Sequence, residues 1–190
     1  GIRYFEESAF MSVDENARDH LELLPGPRSE KRHTLLGTLD YTQTKAGARL
    51  LGQWIMYPLV GVGAIEDRLD AVGALFSASA AREEIEKGLK GLSDLERLLS
   101  RLSLGKGNGR DMLALLEIFK RLPYITQTLA QFDAHELRDI TQMLAPPQQL
   151  RDEIEAAICD DPPFTITEGG IFKKGYDARL DELIDLATNG

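Results

Sequence analysis

Between Thr44 and Pro58 the chain reads TKAGARLLGQWIMYP, with Gly47, Leu50, Leu51, Trp54 and Ile55 recurring at three- and four-residue steps. That is the period of a helix with one apolar face. Thr44 supplies an N-cap, and Pro58 ends the helix by disfavouring the helical conformation in the residue before it. Trp54 lies on this stripe, whereas Arg49 and Gln53 fall on another side, so the indole is expected in a core. The same period predicts a second helix carrying Ile65, Leu69, Val72 and Phe76 on one face, and a third with Ile85 and Leu89. Ser93 and Glu96 form a capping-box pattern before Leu95, Leu98, Leu99 and Leu102, and Gly105 stops that helix. From Arg110 a helix with Leu113, Leu116 and Phe119 runs to Pro123, breaks or kinks, and resumes with Ile125, Leu129 and Phe132. Asp133 and Glu136 suggest another capping box before Leu137, Ile140 and Leu144. Leu150, Ile154 and Ile158 follow Pro146-Pro147, and Asp177 opens a last helix with Leu180, Leu183 and Ala187.

Two stretches depart from the helical period. FTITEGGIFKKGY (164–176) alternates β-branched and aromatic residues around Gly169-Gly170, which predicts a hairpin. Near the start, FMSVDENARDHLELL gives a short extended segment and then Ala17, Leu21 and Leu24 at helical spacing; PGPRSEKRH (25–33) is a polar turn. About eight helices and one hairpin make the fold class mainly α.

With 190 residues and 43% hydrophobic content, the chain can bury a core as one large domain or two small ones. Its net charge of −9 opposes extensive non-specific binding to nucleic-acid phosphates. The single cysteine, Cys159, cannot form an internal disulfide, which fits a reducing cytoplasmic setting. No apolar run is long enough to cross a bilayer, and GIRYFEESAF lacks a basic-then-apolar signal pattern. That opening, without an initiator Met, reads as an excised piece of something longer.

Candidate chemistry is thin. SLGKGNGRD (103–111) has the glycines of a phosphate cradle, but a leucine-rich helix leads into it and no Ser or Thr follows Lys106, so it reads as an interhelical linker. His20, His33 and His135 are far apart, and none has a second His or Cys at metal-ligand spacing. Cys159, beside Asp160 and Asp161, has no basic sequence neighbour to activate it. Glu66-Asp67-Asp70 and Asp181-Glu182-Asp185 lie between apolar stripe positions, the pattern of a solvated helix face rather than of paired catalytic carboxylates. Lys173 and Lys174 either meet a phosphate or acidic partner or, more blandly, protect an exposed strand edge. No residue is assigned as catalytic, cofactor-binding or metal-ligating.

TLLGTLDYTQTKAGARLLGQWIMYPL resembles the start of the core (lever) domain of the MutS family of DNA mismatch-repair ATPases, through Leu39-Asp40, Thr42, Thr44, Gly47, Arg49, Leu51, Trp54 and Pro58-Leu59. AIEDRLDAVGAL, GLSDLERLLSRLSLG, RDMLALLEIFKRLP and EGGIFKKGYDARLDELIDLA follow in the family's order, and FMSVDENARDHLELL resembles its lead-in. Ile184 departs from the pattern, which commonly has an arginine after the LDEL element. The resemblance implies a lead-in over 1–34 and the part of the lever preceding the clamp over 35–190. It implies no enzyme activity for this segment, and an intact protein that uses ATP and magnesium. That protein would bind mismatched duplex DNA through other domains, pair as a homodimer, meet partners such as MutL, and reside in the cytoplasm on the nucleoid. The GYD…LDEL element favours the mismatch-repair branch over a paralogous one. The competing expectations are a stand-alone helical protein-interaction domain and, more remotely, a small hydrolase using the carboxylates. If the piece is excised, the Leu180–Leu183–Ala187 stripe is expected to lack a cover.

Overall fold

The computed structural model describes residues 9–26 and 30–189. The opening octapeptide and the middle of the polar turn at 25–33 lie outside them. Ten α-helices appear among the described residues: α1 Glu15–His20, α2 Leu35–Leu39, α3 Lys45–Met56, α4 Val62–Ser77, α5 Ser79–Leu89, α6 Leu95–Ser103, α7 Gly109–Leu129, α8 His135–Met143, α9 Gln148–Ala157 and α10 Ala178–Asn189. The mainly helical class is as the periodicity predicts. The chain forms two compact units, one from Gly1–Gly91 and Ile125–Leu144, the other from Leu92–Tyr124 and Ala145–Gly190.

In the first unit, the lead-in and the start of the helical body are joined by backbone hydrogen bonds. Leu35 N donates to Glu22 O at 2.9 Å and Leu36 N to Leu23 O at 3.0 Å. Thr34 is 1% exposed and caps α2, accepting from Gly37 N at 3.1 Å while its hydroxyl donates to Lys31 O. Thr44 caps α3 as expected, accepting from Gly47 N at 3.0 Å. The core joins Ala71, Ile125, Leu129 and Leu137, with Ala74, Leu75, Ile85, Leu89 and Phe132 against them. Two expectations are corrected here. Helix α4 buries the Ala71–Ala74–Leu75 side, whose small residues let α8 approach, and leaves Leu69, Val72 and Phe76 exposed, Phe76 at 79%. The helix has two apolar faces, and the packed one is the less bulky. Nor is Trp54 in a core: it is 37% exposed, with the Arg68 guanidinium 3.7 Å from its ring centroid. The ring is covered by a cation on one side rather than enclosed.

The second unit is built on α6, most of α7, α9 and α10. Leu115, Leu116 and Phe119 of α7 pack against Ile154, Ala157 and Ile158, with Leu95, Leu102, Met112 and Ile171 around them. The expected break at Pro123 does not occur: α7 runs through it without interruption. The expected capping boxes do not form either, since α6 begins after Asp94 and α8 after Ala134, neither with a side-chain cap bond. The hairpin across Gly169-Gly170 is absent. Thr165 and Glu168 instead make a capping box around a 3-10 turn at Ile166–Glu168, and both glycines take positive φ, 72° and 70°. The extended pairing lies between the end of α9 and 171–173: Ile158 bridges Phe172 in antiparallel register, Cys159 N donates to Ile171 O, and Lys173 N donates to Ala157 O.

Candidate functional site

The glycine-rich segment offers the first test of chemistry. Asn108 and Asp111 cap each other reciprocally, Asn108 N donating to Asp111 Oδ2 and Asp111 N to Asn108 Oδ1, both at 3.0 Å. The Asp111 carboxylate therefore occupies the start of α7, where a phosphate would need free N–H groups. Arg101 lies 3.0 Å from the same carboxylate and balances it. Arg110 then reaches the 161–164 segment. Its Nε donates to Pro162 O at 2.9 Å, a terminal nitrogen donates to Asp161 at 3.2 Å, and the guanidinium lies 3.7 Å from the Phe164 ring centroid. Asn108 Nδ2 adds a bond to Phe164 O at 2.9 Å. Pro162 itself is fully buried, close enough to Gly109 that a Cβ there would fall 2.6 Å from the proline Cβ. The segment is a structural post that anchors the loop after α9, with the Asp111 carboxylate at the start of α7.

Of the remaining candidates, Lys173 Nζ lies 3.7 Å from Asp160 Oδ1. His135 Nδ1 stands 3.9 Å from both Asp67 and Asp139, too far for a hydrogen bond. Among the described residues no group of three or more His, Cys, Asp and Glu is arranged to hold a metal. The Cys159 thiol donates to Gly170 O at 3.2 Å. Asp181 accepts from Gly175 N at 2.8 Å, and Asp177 Oδ1 accepts from Arg179 N and Leu180 N, so these acids organise the entry to α10. Lys174 is exposed, while Lys173 is tied down. The Lys173 ammonium donates to Glu155 O at 2.8 Å, placing a cation at the C-terminal end of α9, where it complements the helix dipole.

An open cleft of about 250 Å³ lies beside this lysine, lined by Leu113, Leu116, Glu117, Lys120, Glu155, Ile158, Asp160 and Lys173. Lys120 and Glu155 close to 2.6 Å across its rim. The hydrogen bond from Lys120, with the Coulombic pull of the same ammonium, holds the Glu155 carboxyl below its ordinary range. Asp40 is held low in the same way, first by Lys31 and then by Thr42. These are ion pairs joining helices and turns. Sequence reasoning missed the Asn108–Asp111 cap and the Arg110 post, although Asn-x-x-Asp at a helix start was there to be read.

The Thr44 cap and the Arg110 post each tie elements of the fold together. The family model described as MutS domain III matches residues 16–188. The chain belongs to the MutS family. As a MutS domain III it has relatives named DNA mismatch repair protein MutS, 43% identical over 94% of this chain in Anaeromyxobacter sp. (strain K) and 40% identical over 97% in Myxococcus xanthus (strain DK1622). One from Desulforamulus reducens is 38% identical over the full chain. The chain spans about a fifth of the length of these relatives, 20% to 22%. The MutS match disfavours the reading as a stand-alone interaction module.

Proposed function

We propose that this chain is the lever of a mismatch-repair MutS protein, a helical body that carries conformational change and performs no reaction itself. The observation behind this is the family match over residues 16–188, joined to relatives whose printed name is DNA mismatch repair protein MutS. The geometry agrees: Asp111, Asp177 and Asp181 organise helix starts, and Lys173 meets the C-terminal end of α9. Packed helices of this kind move as bodies, which transmission between a nucleotide site and a DNA grip requires. ATP and magnesium do not fit the Gly-Lys-Gly-Asn-Gly segment, because Asp111 fills the helix start behind it and Gly107, not a hydroxyl residue, follows Lys106. The nucleotide would belong to another part of the longer polypeptide. That polypeptide would grip mismatched duplex DNA through other domains, pair with a second copy of itself, meet MutL, and work in the cytoplasm on the nucleoid.

Reading the gene on either side of this segment tests the proposal. A clamp segment and a Walker A ATPase in the same frame are expected. A stop codon immediately after Gly190 overturns the reading, as does micromolar ATP binding to the chain in calorimetry that Lys106→Ala abolishes.

A further inference from the structure

The residue after Asn108 has to be glycine, because Pro162 leaves no room for a side chain: a Cβ at 109 would stand 2.6 Å from the proline Cβ. That requirement creates a chemically fragile pair. In an Asn-Gly sequence the glycine nitrogen, unshielded by a side chain, reaches the asparagine amide carbon more readily than any other residue's nitrogen does. Asparagine is counted among the thermolabile residues. We propose that Asn108-Gly109 is a self-modification site, held unreactive while the 161–164 segment is docked against it and deamidated when that segment lifts.

The reaction needs only water. The Gly109 nitrogen gives up its proton and bonds to Asn108 Cγ, and the side-chain nitrogen leaves as ammonia, closing a succinimide ring. Water then opens that ring at either carbonyl. Attack at the side-chain carbonyl gives aspartate, and attack at the main-chain carbonyl gives isoaspartate, with an added methylene in the backbone. In the docked arrangement the geometry blocks the first bond. Asn108 Oδ1 accepts from Asp111 N at 3.0 Å, and Nδ2 donates to Phe164 O at 2.9 Å. Both ends of the amide are engaged, so its carbon cannot turn toward the Gly109 nitrogen without giving up both bonds. Gly109 is buried against Pro162 at the first position of α7, which fixes the peptide plane that must swing to close the ring. The lock nonetheless lies at the surface. Asn108 is half-buried and Phe164 is 69% exposed; Arg110 holds the segment through Pro162 O and the Phe164 ring. Contacts of this kind open locally at less cost than global unfolding. A reaction confined to the open form then proceeds in proportion to its population. The change is one-way. An aspartate in place of Asn108 still accepts from Asp111 N but has no N–H for Phe164 O, and isoaspartate displaces the cap as well. Either product holds the 161–164 segment less well than the amide did.

Peptide mapping by mass spectrometry tests this on the 190-residue chain in mildly alkaline buffer, read on the peptide that carries Asn108 so that Asn189-Gly190 does not enter. The folded chain is expected to deamidate at Asn108 at least about ten-fold more slowly than the chain in guanidinium chloride at the same pH and temperature, with isoaspartate among the products. A smaller difference, or aspartate alone, overturns the proposal. Arg110→Ala, checked for folding by circular dichroism, is expected to raise the ratio of folded to denatured rate at least about three-fold. Phe164→Ala removes a mostly exposed ring and keeps the carbonyl, so it acts in the same direction and serves if the arginine variant does not fold. A folded variant of either kind that reacts no faster than the unsubstituted chain overturns the proposal as well.

Discussion

A methyl group at position 109 has nowhere to go. The Cβ of an alanine would stand 2.6 Å from Pro162 Cβ and 3.2 Å from Ile171 Cγ2, and Pro162 is itself locked by the Arg110 bond to its carbonyl. Gly109→Ala should therefore destabilise the chain by about 1–3 kcal/mol, the range for overpacking a filled site, measured by urea unfolding; a change within about 0.5 kcal/mol would show that the loop yields freely. The glycine-rich run could be read from sequence as a non-nucleotide segment, because Lys106 lacks its hydroxyl partner, but the close approach that requires Gly109 depends on Pro162, which is remote in sequence. Trp54 is the converse case. Its place on the α3 stripe was legible, yet a stripe reports which side is apolar and not how completely it is covered, and Arg68 from the next helix decides that.

Among the elements, those whose signals were local came through best. Thr44 and Asp177 mark their helix starts correctly because each bonds N–H groups two or three residues on. The 164–176 segment was misread because its alternation favoured a hairpin while Thr165 and Glu168, three apart, captured the backbone in a 3-10 turn first. Helix α4 was misread because two apolar faces compete for one core, and periodicity does not rank them. The Lys120–Glu155 contact between α7 and α9 has a measurable consequence. Since the Glu155 pKa is lowered from 4.5 in the folded chain, its contribution to stability is fully present above that value and is lost as pH falls through the folded one. Lys120→Met should move the Glu155 carboxyl titration, followed by NMR, up towards its ordinary value. It should stop short of it, because Arg151 and Lys173 still attract the carboxylate. A titration unmoved by the substitution would mean that the 2.6 Å contact is not held in solution.

For the molecule as a whole, charge sets the main expectation. At −9 the chain should bind duplex DNA weakly and with a steep salt dependence in an anisotropy titration, and sub-micromolar binding that resists salt would contradict it. Family membership was readable because several blocks recur in order, whereas the division into two units was not, since each is assembled from separated stretches. That interleaving has a consequence for how the polypeptide is made. On a ribosome Leu115, Leu116 and Phe119 emerge well before Ile154, Ala157 and Ile158, the residues that cover them. With synthesis at roughly 5–20 residues per second, the part of the apolar side of α7 that α9 covers stays bare for a few seconds, an interval in which a nascent chain is open to chaperone capture or aggregation. A translation pause that falls after Phe119 has emerged and before Ile158 has would lengthen that exposure, and a pause once Ile158 has emerged would not.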